Sequence, residues 1–197
     1  GVLATGSVVN SLQIVGDSIV AGVGDSFSNP PETGYWQRKL YPASTYAYQF
    51  IALPGENTNE FNTASSIGRG ALVGPEVTCL VNCYGINDLQ AGATLAQLQA
   101  RIRTLAVNAL ARNANVRIYQ ATLTPKTNAA NTVTDGINGT RVSFNDWVRD
   151  GLPEISGVAV ATGTGGALRA GDSGHPFKGY LEIADTAESS RNSGLWK

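Results

Sequence analysis

Short apolar runs alternate with longer amphipathic stretches along this chain. Leu12, Ile14 and Val15 make an apolar run that stops at Gly16-Asp17-Ser18, and comparable runs cover residues 46–53, 77–84, 116–123 and 157–162. Their length and the turn residues that bound them predict strands, the first over residues 11–15. The run at 77–84 is apolar on both faces, as expected of a central parallel strand with helices above and below it. Residues 34–40 read as a helix packing Tyr35, Trp36 and Leu40, and residues 57–69 as a helix beginning near Thr58. From Thr94 the signal is stronger. Thr94 and Gln97 have capping-box spacing, and Leu95, Leu98, Ile102, Leu105, Ala109 and Leu110 recur at helical intervals. A final helix is expected from Pro176 to about Ser190, with Tyr180, Leu181, Ile183 and Ala184 available for packing. Strands alternating with helices predict a three-layer α/β/α sandwich around a five-stranded parallel sheet. No repeat, charge run or low-complexity linker interrupts the pattern, so residues 1–197 read as one domain.

Composition narrows the function classes. The 197 residues suffice for a substantial core. A net charge of -1 implies no general attraction to nucleic acid or anionic membrane. No run approaches the roughly 20 apolar residues of a membrane span, and residues 1–5 lack the charged and apolar regions of a signal peptide. The absence of methionine suggests a processed chain or an excised domain. Small molecules or neutral polymers are the expected partners; oligomeric state is open. Cys79 and Cys83 are the only cysteines. On a strand their Cα atoms would lie about 13 Å apart, beyond disulfide reach, so they read as buried free thiols on one face. The chain clusters too few ligands for zinc, and the chemistry considered below calls for no cofactor. Abundant Gly, Ala, Asn and Thr with 15% charged residues suit a secreted or particle-borne protein.

The candidate chemistry begins at Ser18. A buried strand that ends in Gly-Asp-Ser holds the serine at the carboxyl end of a sheet, where open α/β sheets place their ligands. A serine hydroxyl needs a base and a stabiliser for the oxyanion it creates. His175 is the only histidine, and Asp172 stands three residues before it, so one loop offers a base and a carboxylate to orient it. Asn87, in Tyr84-Gly85-Ile86-Asn87-Asp88, follows another strand and offers an amide to an oxyanion; Asp88 is read as bracing that loop. A second Gly-Asp-Ser at residues 24–26 has no apolar strand before it and Pro30-Pro31 after it, so Ser26 is read as loop chemistry. Gly55, in Leu53-Pro54-Gly55-Glu56-Asn57, meets a turn's need for positive φ; beside the other blocks it also offers a backbone N–H to an oxyanion.

These four blocks, in this order, resemble those of the SGNH hydrolases, the GDSL esterase and lipase family. Ser18 matches the Gly-Asp-Ser block, Gly55 the glycine block, Asn87 the Gly-x-Asn-Asp block, and Asp172 with His175 the Asp-x-x-His block. The resemblance runs through nearly the whole chain, including a Thr-Pro turn at 124–125 and a helix over 141–149. It implies a flavodoxin-like strand order of 2-1-3-4-5. One departure stands out: His175-Pro176-Phe177-Lys178-Gly179-Tyr180 has one residue fewer between the proline and Gly-Tyr than the family pattern.

The implied reaction is ester hydrolysis through an acyl-enzyme. Ser18 attacks, His175 takes its proton, Asp172 holds the ring, and the Ser18 and Gly55 N–H groups with the Asn87 amide hold the oxyanion. The family acts on lipid esters, thioesters and O-acetyl groups of polysaccharides. With polar loops and no long apolar lid, this chain leans to short-chain acyl esters or O-acetyl esters of carbohydrates. Two alternatives stay open: a carbohydrate-binding or structural module of a larger secreted or phage protein without turnover, and an acyltransferase using the same site.

Overall fold

The structure is a computed structural model that describes residues 10–23, 36, 40, 47–63, 69, 72–128, 130–133 and 136–197. At its centre, β1 (Ser11–Gly16) runs parallel to β2 (Ala47–Ala52) on one side and β3 (Cys79–Asn82) on the other. β4 (Arg117–Ala121) pairs with β3, and β7 (Gly179–Leu181) closes the sheet against β4, also in parallel. The order β2-β1-β3-β4-β7 is the doubly wound arrangement expected. Two-residue strands β5 (Glu154–Ile155) and β6 (Val158–Ala159) form a separate antiparallel hairpin.

Successive side chains of a strand point to opposite faces, and here both faces are apolar. Val15, Leu80 and Ile118 enter one core cluster; Ile14, Val81 and Ala121 enter the other. The first face is covered by α4 (Leu95–Arg112) and α5 (Asn138–Arg149), which bury Leu98, Ile102 and Leu105 and Phe144, Trp147 and Val148. The Thr94 side chain accepts from Gln97 N–H while Gln97 reaches back to Thr94 N–H, so the expected capping box starts α4. Trp36 and Leu40, both helical, pack on the second face; the rest of the expected 34–40 helix lies outside the described residues, as does Ser26. Cys79 and Cys83 form no disulfide with each other and are half-buried against this same face.

Two expectations fail together. Residues 157–162 do not supply the fifth strand, because Ser156 (φ 50°) and Gly157 (φ 78°) form a two-residue turn that folds Val158–Ala159 back onto Glu154–Ile155. The fifth strand is instead Gly179–Leu181, inside the stretch expected to form the final helix. There Leu181 and Ile183 pack on the second face while Tyr180 is exposed, the period of a strand rather than a helix. Only α6 (Ala184–Ala187), a single turn, remains of that helix.

Candidate active site

The carboxyl ends of β1, β2 and β3 converge. β1 ends at Gly16, where a Cβ would lie 2.4 Å from a Val20 methyl carbon and 3.2 Å from Cys83 Cβ, so only glycine permits this close return of the chain. α1 (Ser18–Ala21) starts immediately, capped by Asp17, whose Oδ1 accepts from Ile19 N–H at 2.9 Å. Ser18 is thus the first residue of a helical turn at the sheet's carboxyl edge. Its N–H precedes any intrahelical partner, and its hydroxyl makes no hydrogen bond among the described residues.

Gly55 sits in the turn after β2 with φ 84° and open space where a Cβ would be. Its N–H is unused among the described residues. The turn is tied to β1 by Leu53 N–H donating to Gly16 O at 3.1 Å. Asn87, in the first turn of α3 (Ile86–Gln90), donates an Nδ2 proton to Glu56 O at 2.9 Å, which fixes it beside Gly55. An amide nitrogen carries two protons, so one remains for a ligand. The structure therefore brings Ser18, Gly55 and Asn87 to one edge of the sheet.

Buried carboxylates support this edge, Asp88, expected to brace its loop, among them. Asp88 Oδ2 accepts from Thr58 N–H and Oγ1, both at 2.8 Å, and its Oδ1 accepts from Arg101 at 2.9 Å. This joins α3, α4 and the start of α2 (Thr58–Asn62). Glu56 is ion-paired with Arg69 and accepts the Tyr84 hydroxyl at 2.5 Å. Burial above all, with Glu56 adding to it, pushes the Tyr84 phenol far above its ordinary range and keeps it a donor. Asp17 is 1% exposed. Burial raises its carboxyl to about 6, against the opposing pull of the Ile19 N–H. In the sequence, each of these acids is the immediate neighbour of a block residue, which was the available signal.

His175 and Asp172 lie elsewhere. Val15, Asn82, Gln120 and Tyr180 share one row across the sheet. Ser18 follows that row at the carboxyl side, whereas His175 precedes it. Lys178 N–H donates to Ile118 O at 2.8 Å near the start of β4, which places His175 at the amino edge. The ring is 4% exposed. Its Nδ1 accepts from Phe177 N–H at 3.1 Å and its Nε2 stands 2.9 Å from Leu152 O. Since Nδ1 is an acceptor, Nε2 carries the proton and donates to Leu152. The exposed Asp172 carboxylate accepts from Arg169 N–H at 2.7 Å, and no hydrogen bond joins it to the imidazole among the described residues. The expected triad is not assembled. The cause is that the chain enters the fifth strand after His175, whereas a strand over residues 157–162 would leave the sheet before Asp172.

The sequence profile of the GDSL-like lipase/acylhydrolase family matches residues 14–177. No curated protein matches the chain significantly. Among solved structures it is similar to a member of the lipolytic G-D-S-L protein family from Veillonella parvula (13% identity, TM-score 0.56, 72% of this chain and 71% of that one). A protein from Desulfitobacterium hafniense assigned to the same lipolytic family matches at 17% identity and TM-score 0.54, over 70% and 69%. A protein from Parabacteroides merdae described as a GDSL-like lipase matches at 18% identity and TM-score 0.46, over 63% of this chain and 64% of that one. The match thus spans less than two thirds of the Parabacteroides protein. The strand order agrees with the structural likeness, the Gly-Asp-Ser, glycine and asparagine blocks meet at one edge, and the family profile runs through most of the sequence: the chain belongs to the GDSL-like lipase/acylhydrolase family.

Proposed function

We propose that this protein hydrolyses carboxylic esters through an acyl-enzyme on Ser18, with short-chain acyl esters or O-acetyl esters of carbohydrates as substrates. The observation that carries the reading is the convergence of Ser18, Gly55 and Asn87 at the carboxyl edge, each with a donor left for an oxyanion. Ser18 Oγ attacks the ester carbonyl, and its own N–H, the Gly55 N–H and the free Asn87 amide proton face the oxygen that becomes negative. Collapse of the tetrahedral intermediate expels the alcohol and leaves the acyl group on Ser18; water then releases the acid. With both His175 ring nitrogens engaged at the amino edge, the Ser18 proton passes to hydroxide from solvent, and the departing alkoxide takes a proton from water. No other histidine exists in the sequence.

The placement of His175 favours a second reading, a carbohydrate-binding or structural module that keeps the fold without turnover. One experiment separates the two. Hydrolysis of p-nitrophenyl esters of increasing acyl length is compared between the wild type and Ser18→Ala. Cleavage of the acetyl ester that is lost in Ser18→Ala supports the esterase; a folded protein that cleaves no ester but binds glycans equally well with or without Ser18 supports the module.

A further inference from the structure

Three buried carboxylates stand next to the three oxyanion donors: Asp17 before Ser18, Glu56 after Gly55 and Asp88 after Asn87. Two of them have a counter-charge, Arg69 for Glu56 and Arg101 for Asp88. Asp17 has none among the described residues, and its Oδ2 is buried without a hydrogen-bond partner. An uncompensated buried carboxylate is held against a desolvation cost, so a reason for an acid at this position is needed.

We propose that Asp17 is the positioning residue of the nucleophile turn, and that its buried carboxyl, by taking up or losing a proton, sets how firmly the turn presents Ser18, the protonated form favouring the ordered turn. The inference rests on the reading of Ser18 as nucleophile. α1 is one turn long and buries only Val20. A single turn gains nothing from helix propagation. The bonds that hold it include Asp17 Oδ1 to Ile19 N–H, Asp17 O to Ala21 N–H at 3.0 Å, Ser18 O to Val23 N–H at 3.0 Å and Ile19 O to Gly22 N–H at 3.3 Å. Only the first uses a charge, and hydrogen bonds to an ionised acceptor are roughly twice as strong as neutral ones. Protonation weakens that bond but removes a buried charge whose second oxygen has no donor, and the burial effect is the larger, so the ordered turn favours the protonated carboxyl. The charged group that faces Asp17 from the neighbouring elements is Asp88 on α3, which favours the protonated form; the Tyr84 phenol, also within its field, stays neutral. Asp88 is anchored to Thr58 and Arg101 by bonds that do not involve Asp17. Burial sets the response in the mildly acidic range, near 6.

The test uses the full chain and two independent readouts. Backbone amide resonances of Ser18 and Ile19 are followed by 1H–15N NMR from about pH 4.5 to 8, a range that brackets ordinary and raised carboxyl values. In the wild type both should move with one midpoint near 6, and in Asp17→Asn, which keeps a carbonyl acceptor but cannot ionise, they should stay still. In ester hydrolysis, Asp17→Ala should lower kcat by about 10²-fold with KM nearly unchanged, the signature of a displaced nucleophile. Asp17→Asn should recover most of that loss. Amides that do not titrate in the wild type, or Asp17→Ala kinetics equal to those of the wild type, would overturn the proposal. A wild type that cleaves no ester removes the esterase reading alone, since the amide titration still decides the role of Asp17.

Discussion

Asn87 holds its place with one amide proton and leaves the other for a ligand, so deleting its side chain removes the proposed oxyanion donor and a tie to Glu56 at once. Asn87→Ala should lower kcat by about 10²- to 10³-fold, while Ser18→Ala should abolish turnover; initial rates on the acetyl ester measure both. Equal and small losses would mean that neither residue touches the reacting carbonyl. His175 is the contrasting case. Its ring bridges Leu152 O and Phe177 N–H, so its chemistry is that of a structural clamp between the turn after α5 and the lead-in to β7. Because it is the only histidine, its imidazole signals in a 1H–15N spectrum need no assignment. They should report a proton on Nε2 and should not change in Ser18→Ala. His175→Ala leaves the Leu152 carbonyl buried without its donor and should lower stability by about 1–3 kcal/mol, read from urea unfolding. The residue was legible in the sequence as chemically competent; its address was not, because the same Asp-x-x-His spacing fits a loop at either end of a parallel strand.

At the scale of elements, legibility followed the strength of local signals. α4 has a capping box and a continuous apolar stripe, and it appears where the sequence placed it. Thr94→Ala should cost about 1 kcal/mol in urea unfolding, since it removes the acceptor for Gln97 N–H. The fifth strand was misread because both candidates are short. Ser156-Gly157 carried the hairpin signal that residues 157–162 needed for correct reading, and Gly179-Tyr180-Leu181-Glu182-Ile183 carried a period of two that a helix cannot satisfy. α1 has the opposite character: a strong motif on a weak element. Asp17 has a folded value near 6 against an ordinary 3.8. A raised carboxyl favours the folded state fully below its unfolded value and loses that contribution as pH rises through the folded value. The charge therefore costs stability above about pH 6, by about 3 kcal/mol for a shift of this size. Asp17→Asn should be the more stable protein at pH 7, and its advantage should shrink as the pH falls from 6 to 4. Thermal unfolding of both proteins across that range measures it; an advantage that grows toward acid would place the Asp17 charge in a favourable environment.

For the whole molecule, a parallel sheet has two chemically different edges, and the four sequence blocks are divided between them here: Ser18, Gly55 and Asn87 at the carboxyl edge, Asp172 and His175 at the amino edge. The apolar faces were readable from the alternating runs, and the strand order from the family resemblance alone. The end at which each loop emerges depends on which short run joins the sheet, a decision made by tertiary packing. Past β7, the last residues are fixed to the rest by a buried ion pair, Arg141 on α5 with Glu188 just after α6, both essentially inaccessible. Asn192 N–H donates to Glu188 Oε2 at 2.6 Å, and Asn131 exchanges two hydrogen bonds with Trp196, both at 2.9 Å. A buried pair contributes little net stability, but breaking one side leaves a charge without compensation. Glu188→Gln should therefore cost about 3–5 kcal/mol in urea unfolding. Removing both charges should cost less than removing one. In Glu188→Leu with Arg141→Met no ion is stranded, and the Leu123 carbonyl that Arg141 serves keeps its second donor, Asn145 Nδ2 at 2.9 Å. If the double replacement were worse than Glu188→Gln, Arg141 would be holding the end of β4 through Leu123 rather than anchoring the final residues through Glu188, and the two roles would be separated by that comparison.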